Sequence, residues 1–518
     1  MFTNNNNNNY NLINGNVITL NNLVPIASSV TVCDGRIESI NSPNNHYKAI
    51  DLDGLTVLPG LVDSHFHLSN FGKRLEMINL KGLKSISEIV SEVDKKVKEL
   101  GPGTFIHGFG WDQTRWDNQN FPINDVLNHF LNNPIVLTRV DGHALWTNQA
   151  AIDLSLYTDD LIAPDGGDII NKCIFIDNAM DPIRNIIPKN KKNDVIRWIK
   201  TASHQAIKWG ITNVHDAWQD PLIFEAINEL VESNELPIRC YGMIGASHLE
   251  LISEILNNGH HTNKNYTVRA VKAFIDGALG SRGAALLEPY SDAHNSCGLT
   301  LISHDEFLDI ASKCSDTNFQ LCTHAIGDKG NQMVIDIYSK YFKENYRWRI
   351  EHAQMITYDD MLRCQQFKII PSMQPSHCTS DMRWMKDRIG NHRTHRISRW
   401  KTFEDLGLPI PGGSDCPIED GNPLFEYYAA ITRKDHNGLP EGGWHPEEVL
   451  SRTSALKMFT AWAAYGEFSE KQRGMIEIGF DADFTILNND ITCCEPEVIL
   501  NTEVMMTIVD GEIVHSKL

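Results

Sequence analysis

His65, His67, Lys272, His324, His352 and Asp415 are the residues of this chain whose types and settings can do chemistry together. Neutral imidazoles and carboxylates are the usual side-chain donors to divalent cations. The first pair lies in V-L-P-G-L-V-D-S-H-F-H, Val57 to His67. Residues two apart in an extended chain share a face, so His65 and His67 point the same way. The apolar run before them, turned at Pro59-Gly60, predicts a buried strand, where polar groups are costly unless used. Later stretches end alike: Gln320–His324 in Thr323-His324, Trp348–His352 in Glu351-His352, and P-G-G-S-D at Asp415. Each has an ordinary alternative, a hydrogen-bonded core histidine or a helix-capping aspartate. Lys272 lies inside the apolar run Thr267–Phe274. Burial lowers an amine's pKa and makes it nucleophilic. A neutral amine can take up carbon dioxide as a carbamate, whose two oxygens can bridge two cations. The alternative is an ammonium paired with Asp276 or Glu351.

Such residues need strand ends that converge. Strand-like and helix-like stretches alternate through the middle of the chain. Strands are expected at Thr104–Phe109, Ile135–Val140, Ile211–Val214, Val268–Ile275, Gln320–Thr323, Trp348–Ile350, Lys368–Ser372 and Leu408–Pro411. Helices are expected at Ser87–Leu100, Asp194–Trp209, Asp305–Lys313 and Asn331–Tyr341. About eight repeats of this unit predict an α/β fold, a (β/α)8 TIM barrel, with reactive residues at the C-terminal strand ends. Both chain ends instead read as short strands with Asn-Gly and Asp-Gly turns. They predict a small β-sandwich built from residues 11–58 and 474–515, flanking a barrel over 59–473. Asn4–Asn9 predicts a disordered N-terminus, residues 1–10. There is no internal repeat.

Composition narrows the function. A formal charge of −20 over 518 residues argues against nucleic acid or an anionic membrane surface as partner. Eleven scattered cysteines without a signal peptide suggest free thiols in a reducing compartment, and no run is long and apolar enough to span a membrane. The expectation is a soluble intracellular protein.

The ordered motifs identify a resemblance. They are P-G-L-V-D-S-H-F-H at Pro59–His67, R-V-D-G-H-A-L-W-T-N at Arg139–Asn148, V-K-A-F-I-D-G-A-L-G-S-R at Val271–Arg282 and T-H-A-I-G-D at Thr323–Asp328. W-R-I-E-H-A-Q at Trp348–Gln354, S-M-Q-P-S-H at Ser372–His377, G-G-S-D-C-P at Gly412–Pro417, N-P-L-F at Asn422–Phe425 and G-F-D-A-D-F-T-I-L at Gly479–Leu487 follow. From about Asn14 to Val514 the chain resembles the amidohydrolase superfamily, specifically its YtcJ-like branch, the amidohydrolase 3 family, which includes N-substituted formamide deformylases.

That resemblance implies a binuclear site, with His65 and His67 on one ion, His324 and His352 on the other, and carboxylated Lys272 between them. Asp415 would bind a metal and act as general base while activated water attacks an amide carbonyl. Imidazole-rich sites favour zinc, with iron or manganese left open. His143 is a candidate donor to the substrate carbonyl, and Asp141, Trp111, Trp146, Trp384, His215, Asp276 and Arg282 are candidate substrate-side residues, although core packing is the commoner role for a tryptophan. The expected partner is a small-molecule amide, and a homodimer stays open. Two other readings stand beside hydrolysis of a non-peptide C–N bond. One is a single-metal heterocycle deaminase, which Lys272 disfavours; the other is a non-catalytic binding or regulatory protein, which the intact ligand set disfavours. Finally, Ser516-Lys517-Leu518 reads as a peroxisomal address for the import receptor, with a cytoplasmic location as the alternative.

Overall fold

The structure, a computed structural model, describes residues 9–123, 126–140, 142–157, 160–343 and 345–518. Most of the Asn4–Asn9 run, through Asn8, lies outside the described residues. The chain forms two compact units, residues 72–198 and the remainder.

The larger unit is built on a parallel barrel. Its strands are β1 (Leu61–Phe66), β2 (Ile211–Gln219), β3 (Arg239–Gly245), β4 (Tyr266–Phe274), β5 (Gln320–Ala325), β6 (Arg349–His352) and β7 (Ile370–Ser372), each hydrogen-bonded to the next. Strands enclosed by helices outside and side chains inside bury both faces, which is why β1, β3, β5 and β6 are buried at every residue.

The eighth position differs from the expected strand at Leu408–Pro411. Residues 411–416 close the barrel as an irregular segment. Met373 N–H donates to Pro411 O and Gly413 N–H to Met373 O on one side. Ser64 N–H donates to Gly412 O and Asp415 N–H to His65 O on the other. Pro411 has no N–H to give a ladder, and Asp415 takes a left-handed φ of 58°, so a regular strand cannot form. Gly413 is required by close approach. A Cβ there would stand 2.5 Å from His65 N and 2.7 Å from Asp63 Oδ1.

Below the barrel, strands from both chain ends make two sheets. Thr56–Pro59, which leads straight into β1, pairs with Phe484–Leu487 from the C-terminal end and with Asn16–Ile18 from the N-terminal end. Leu12, Val30, Val32, Val57, Phe484, Ile486 and Ile508 form their shared core. The α/β barrel with a β-sandwich built from both ends is therefore the fold of this chain.

Residues 72–198 fold around a core of their own, with Trp111, Trp146, Ile106, Ile135 and Leu137 at its centre. The expected barrel strands near Thr104 and Ile135 lie here, as Ile106–Trp111 and Ile135–Arg139, in a separate six-stranded sheet. Among the described residues no helix is long and apolar enough to cross a membrane.

Candidate metal centre

The C-terminal ends of β1, β4, β5 and β6 and the closing segment converge on one buried place. His65 and His67 leave the end of β1 with ring centroids 5.6 Å apart. Asp415 faces both: its Oδ1 is 3.0 Å from His67 Nε2 and 3.5 Å from His65 Nε2. The backbone fixes this meeting, because Asp415 N–H donates to His65 O over 2.7 Å. Asp63 ties the same two segments, accepting from His65 N–H, Ser414 N–H and the Ser414 hydroxyl.

On the other side, the His352 ring centroid lies 4.6 Å from that of His324 and 4.8 Å from that of His65. His352 ends β6 with φ 75°, a conformation that L side chains avoid unless the surroundings enforce it. His377 follows β7 in α1 (Pro375–Ile389), and its Nε2 lies 3.7 Å from Asp415 Oδ2. Asp415 thus turns one oxygen to the β1 histidines and the other toward His377. Donor atoms of His65, His67 and Asp415 lie within 4.8 Å of one another, and so do those of His352, His377 and Asp415.

Burial sets the protonation of these groups. It pushes His65 down to about 4 and His324 to about 3, Lys272 adding to both, and it holds His352 well below the ordinary histidine value. The imidazoles are therefore neutral at pH 7, the form that offers a lone pair. Burial alone would raise the Asp415 carboxyl, but His65 and His67 outweigh it and keep the group ionised.

Lys272 sits inside β4, paired in register with Gly245 and Cys322 and wholly buried. Burial lowers its pKa, and among the described residues its Nζ has no hydrogen-bond partner. The ammonium pair that the sequence left open is not formed. Asp276 spends its oxygens on three backbone N–H groups, those of Ala285, Ile326 and Gly327. Glu351 is engaged elsewhere, in a chain of buried polar groups behind His65.

That chain starts at Glu467. His215 Nε2 lies 3.2 Å from Glu467 Oε2, and Arg349 Nη1 donates to His215 Nδ1 over 2.9 Å. Arg349 Nε lies 2.7 Å from Glu351 Oε1, and Glu351 Oε2 lies 2.6 Å from His65 Nδ1. Burial by itself would raise the Glu351 carboxyl, but Arg349 and His65 hold it well below the usual range. An ionised carboxylate only accepts, so His65 carries its proton on Nδ1 and turns the Nε2 lone pair to the site. Gln374 Oε1, 2.7 Å from His352 Nδ1, does the same for His352.

A model of the amidohydrolase family matches residues 48–515, nearly the whole chain. The chain belongs to that family. This amidohydrolase is 28% identical to the putative amidohydrolase YtcJ of Bacillus subtilis, over 93% of this chain and 92% of that one. It is 22% identical to the N-substituted formamide deformylase of Arthrobacter pascens, over 96% and 97% of the two chains. A crystal structure of an uncharacterized metal-dependent hydrolase from Pyrococcus furiosus superposes with a TM-score of 0.80 at 28% identity, covering 94% of this chain and 100% of that one. The barrel, the His/Asp donor clusters and this kinship make the protein a metal-dependent hydrolase of the amidohydrolase family.

The remaining sequence candidates of this amidohydrolase are placed variously. Trp111 and Trp146 are core residues of the 72–198 unit, ring centroids 6.3 Å apart, with Trp111 Nε1 donating to Leu137 O. His143, in the same unit, is exposed and bonded to Asp177 over 2.8 Å. Asp141 lies outside the described residues. His215 is sealed between Arg349 and Glu467, and Arg282 is spent on Asp292 at 2.9 Å. Asp276 is a strut under the loops after β4 and β5, its Oδ1 3.6 Å from His324 Nε2. Glu351, Arg349, Gln374 and His377 join the site without having been sequence candidates for it. For Arg349 and Glu351 the signal was R-I-E inside a buried strand, two charges on one face that had to meet a partner.

Proposed function

We propose that this amidohydrolase hydrolyses the carbon–nitrogen bond of a small-molecule amide of the N-substituted formamide kind, using two divalent ions, zinc by donor type. The observation that carries the reading is the Asp415 carboxylate set among buried neutral imidazoles beside an unpaired buried lysine. Buried polar atoms require partners. Among the described residues, Lys272 Nζ, His67 Nδ1, His324 Nε2 and His377 Nε2 have no hydrogen bond, as in a site built around a further group. His65, His67 and Asp415 would hold one ion, and His324 and His352 the other. Lys272 would lie between them as a carbamate, formed when its neutral amine adds carbon dioxide and loses a proton.

The ions, when bound, supply Lewis acidity toward the carbonyl and toward water. The chain's own residues do the rest. Glu351 and Gln374 fix the tautomers of His65 and His352. Asp415 accepts the proton of the attacking water through its free oxygen, then returns it to the leaving nitrogen. The buried walls keep the carboxylate's charge unscreened. The name of the Arthrobacter relative supports the choice of amide.

Elemental analysis of protein purified with bicarbonate should find about two divalent ions per chain, the number a bridged two-metal site requires. Lys272→Ala should lower the count, and chelation should abolish hydrolysis of N-formyl and N-acyl amines until metal is restored. An unchanged count and turnover in Lys272→Ala would remove the carbamate from the reading. No turnover of any amide by fully loaded protein would remove the substrate class.

The proposed location is peroxisomal. Ser516 pairs with Met506, and Lys517 N–H donates to Met505 O, so import requires this last strand to release the tripeptide to its receptor. Deleting Leu518 from a fluorescently tagged chain should turn a punctate distribution diffuse; the same pattern with and without Leu518 would refute the address.

A further inference from the structure

His377 is neither a metal ligand nor the proton-handling group in the reading above, yet its Nε2 is buried, aimed at Asp415 Oδ2 and, among the described residues, without a hydrogen bond. At 3.7 Å the gap to Asp415 exceeds hydrogen-bonding range, so neither group satisfies the other. The two ligand histidines beside it are held from behind, His65 by Glu351 and His352 by Gln374. Among the described residues, neither ring nitrogen of His377 has such a partner. Its ring stacks on His352, with centroids 5.8 Å apart and planes at 18°. A ligand histidine is normally anchored through its second nitrogen, whereas a group that meets substrate needs an atom left free.

The rest of α1 supports a substrate role. Positions four and seven residues beyond His377 fall on the same helix face. They are Asp381 and Trp384. Asp381 accepts from Gln354 Nε2, in the loop after β6, which fixes this face over the strand ends. Trp384, half-buried, packs against a cluster that includes Leu279, Ile326 and Met355, from the loops after β4, β5 and β6, with its ring beside Gly280. One helix therefore presents, in order outward from Asp415, an imidazole, a carboxylate and an indole.

We propose that this face of α1 reads the substrate, His377 Nε2 contacting the oxygen of the reacting carbonyl and Trp384 the substituent on nitrogen. The site then prefers amides with an aromatic or bulky apolar N-substituent to those with a methyl group. This rests on the reading of Asp415 as the proton-handling group, and its test does not require turnover.

Methylphosphonate and phenylphosphonate carry the tetrahedral oxygens of the addition intermediate and are not hydrolysed. Their binding to metal-loaded wild type, His377→Ala and Trp384→Ala is measured by calorimetry, with ions per chain counted in each. His377→Ala should keep every ion and bind both phosphonates about tenfold or more weakly, as expected for a lost hydrogen bond to a charged group. His377→Gln, which restores an N–H donor, should regain part of that loss. Trp384→Ala should keep the ions and methylphosphonate affinity, and lose about threefold to tenfold on phenylphosphonate alone. Loss of an ion in His377→Ala would make it a ligand and overturn the proposal, as would unchanged phosphonate affinity. An equal loss on both phosphonates in Trp384→Ala would overturn the assignment of the N-substituent. Failure of all amide substrates with these binding results intact would instead discredit only the choice of reaction.

Discussion

Asp415→Asn is expected to slow amide hydrolysis about a thousandfold at saturating metal, the scale of a lost general acid–base group. The substitution is well matched to its purpose. Asn has the shape of Asp and tolerates the left-handed φ of 58° found at this position, so the closing segment should keep its path. The Asp415 N–H to His65 O bond is made by the backbone and survives the change. What disappears is the charge between His65 and His67 and the oxygen that takes a proton. Metal affinity should fall as well, because a neutral amide is a poorer donor than a carboxylate. The rate is therefore read after titration with metal to saturation, beside circular dichroism to confirm the fold. Turnover within tenfold of wild type under those conditions would take Asp415 out of the proton transfer. Asp415→Ala is the poorer experiment, since alanine adds backbone strain to the loss of the carboxylate.

Much of this site was legible in the sequence because the barrel topology does part of the work. Once strands are parallel and closed, the ends of β1, β4, β5 and β6 must meet, so His65, Lys272, His324 and His352 are brought together by local patterns alone. The structure does bring them together, with His324, His352 and His65 ring to ring. The elements that were misread fail for an equally physical reason. Ile106–Trp111 and Ile135–Arg139 carry the same buried-strand pattern as barrel strands, and hydrophobic period does not say which sheet a strand joins. Arg239–Gly245, a barrel strand with two glycines and an arginine, has too weak a pattern to stand out. The closing segment is recognised by its hydrogen bonds to both neighbours, information that no single stretch contains. Partner choice was the other limit. Glu351 could be seen as a carboxylate near a lysine, but its pairing with Arg349 and His65 depends on two strands, β6 and β1, far apart in the sequence.

That pairing carries the second large effect, on stability. Arg349 and Glu351 are both fully buried. Removing one charge of a buried pair leaves the other without compensation, which costs about 3–5 kcal/mol, whereas replacing both by apolar groups is often close to neutral. Glu351→Ala should therefore lower the thermal unfolding temperature of the metal-free protein strongly, and Glu351→Gln, which still offers an oxygen to His65 Nδ1, should lower it less. Arg349→Met combined with Glu351→Leu should recover much of the lost stability. It should not recover the site, because nothing then holds the His65 proton on Nδ1. Loss of such a support typically weakens metal binding about tenfold to a hundredfold. Competition against a chelator reads that quantity without any need for turnover. A double variant that is stable and binds metal poorly would separate the two roles of Glu351, counter-charge for Arg349 and orienting group for His65. A double variant as stable as wild type and with undiminished metal affinity would show that the strand alone positions His65.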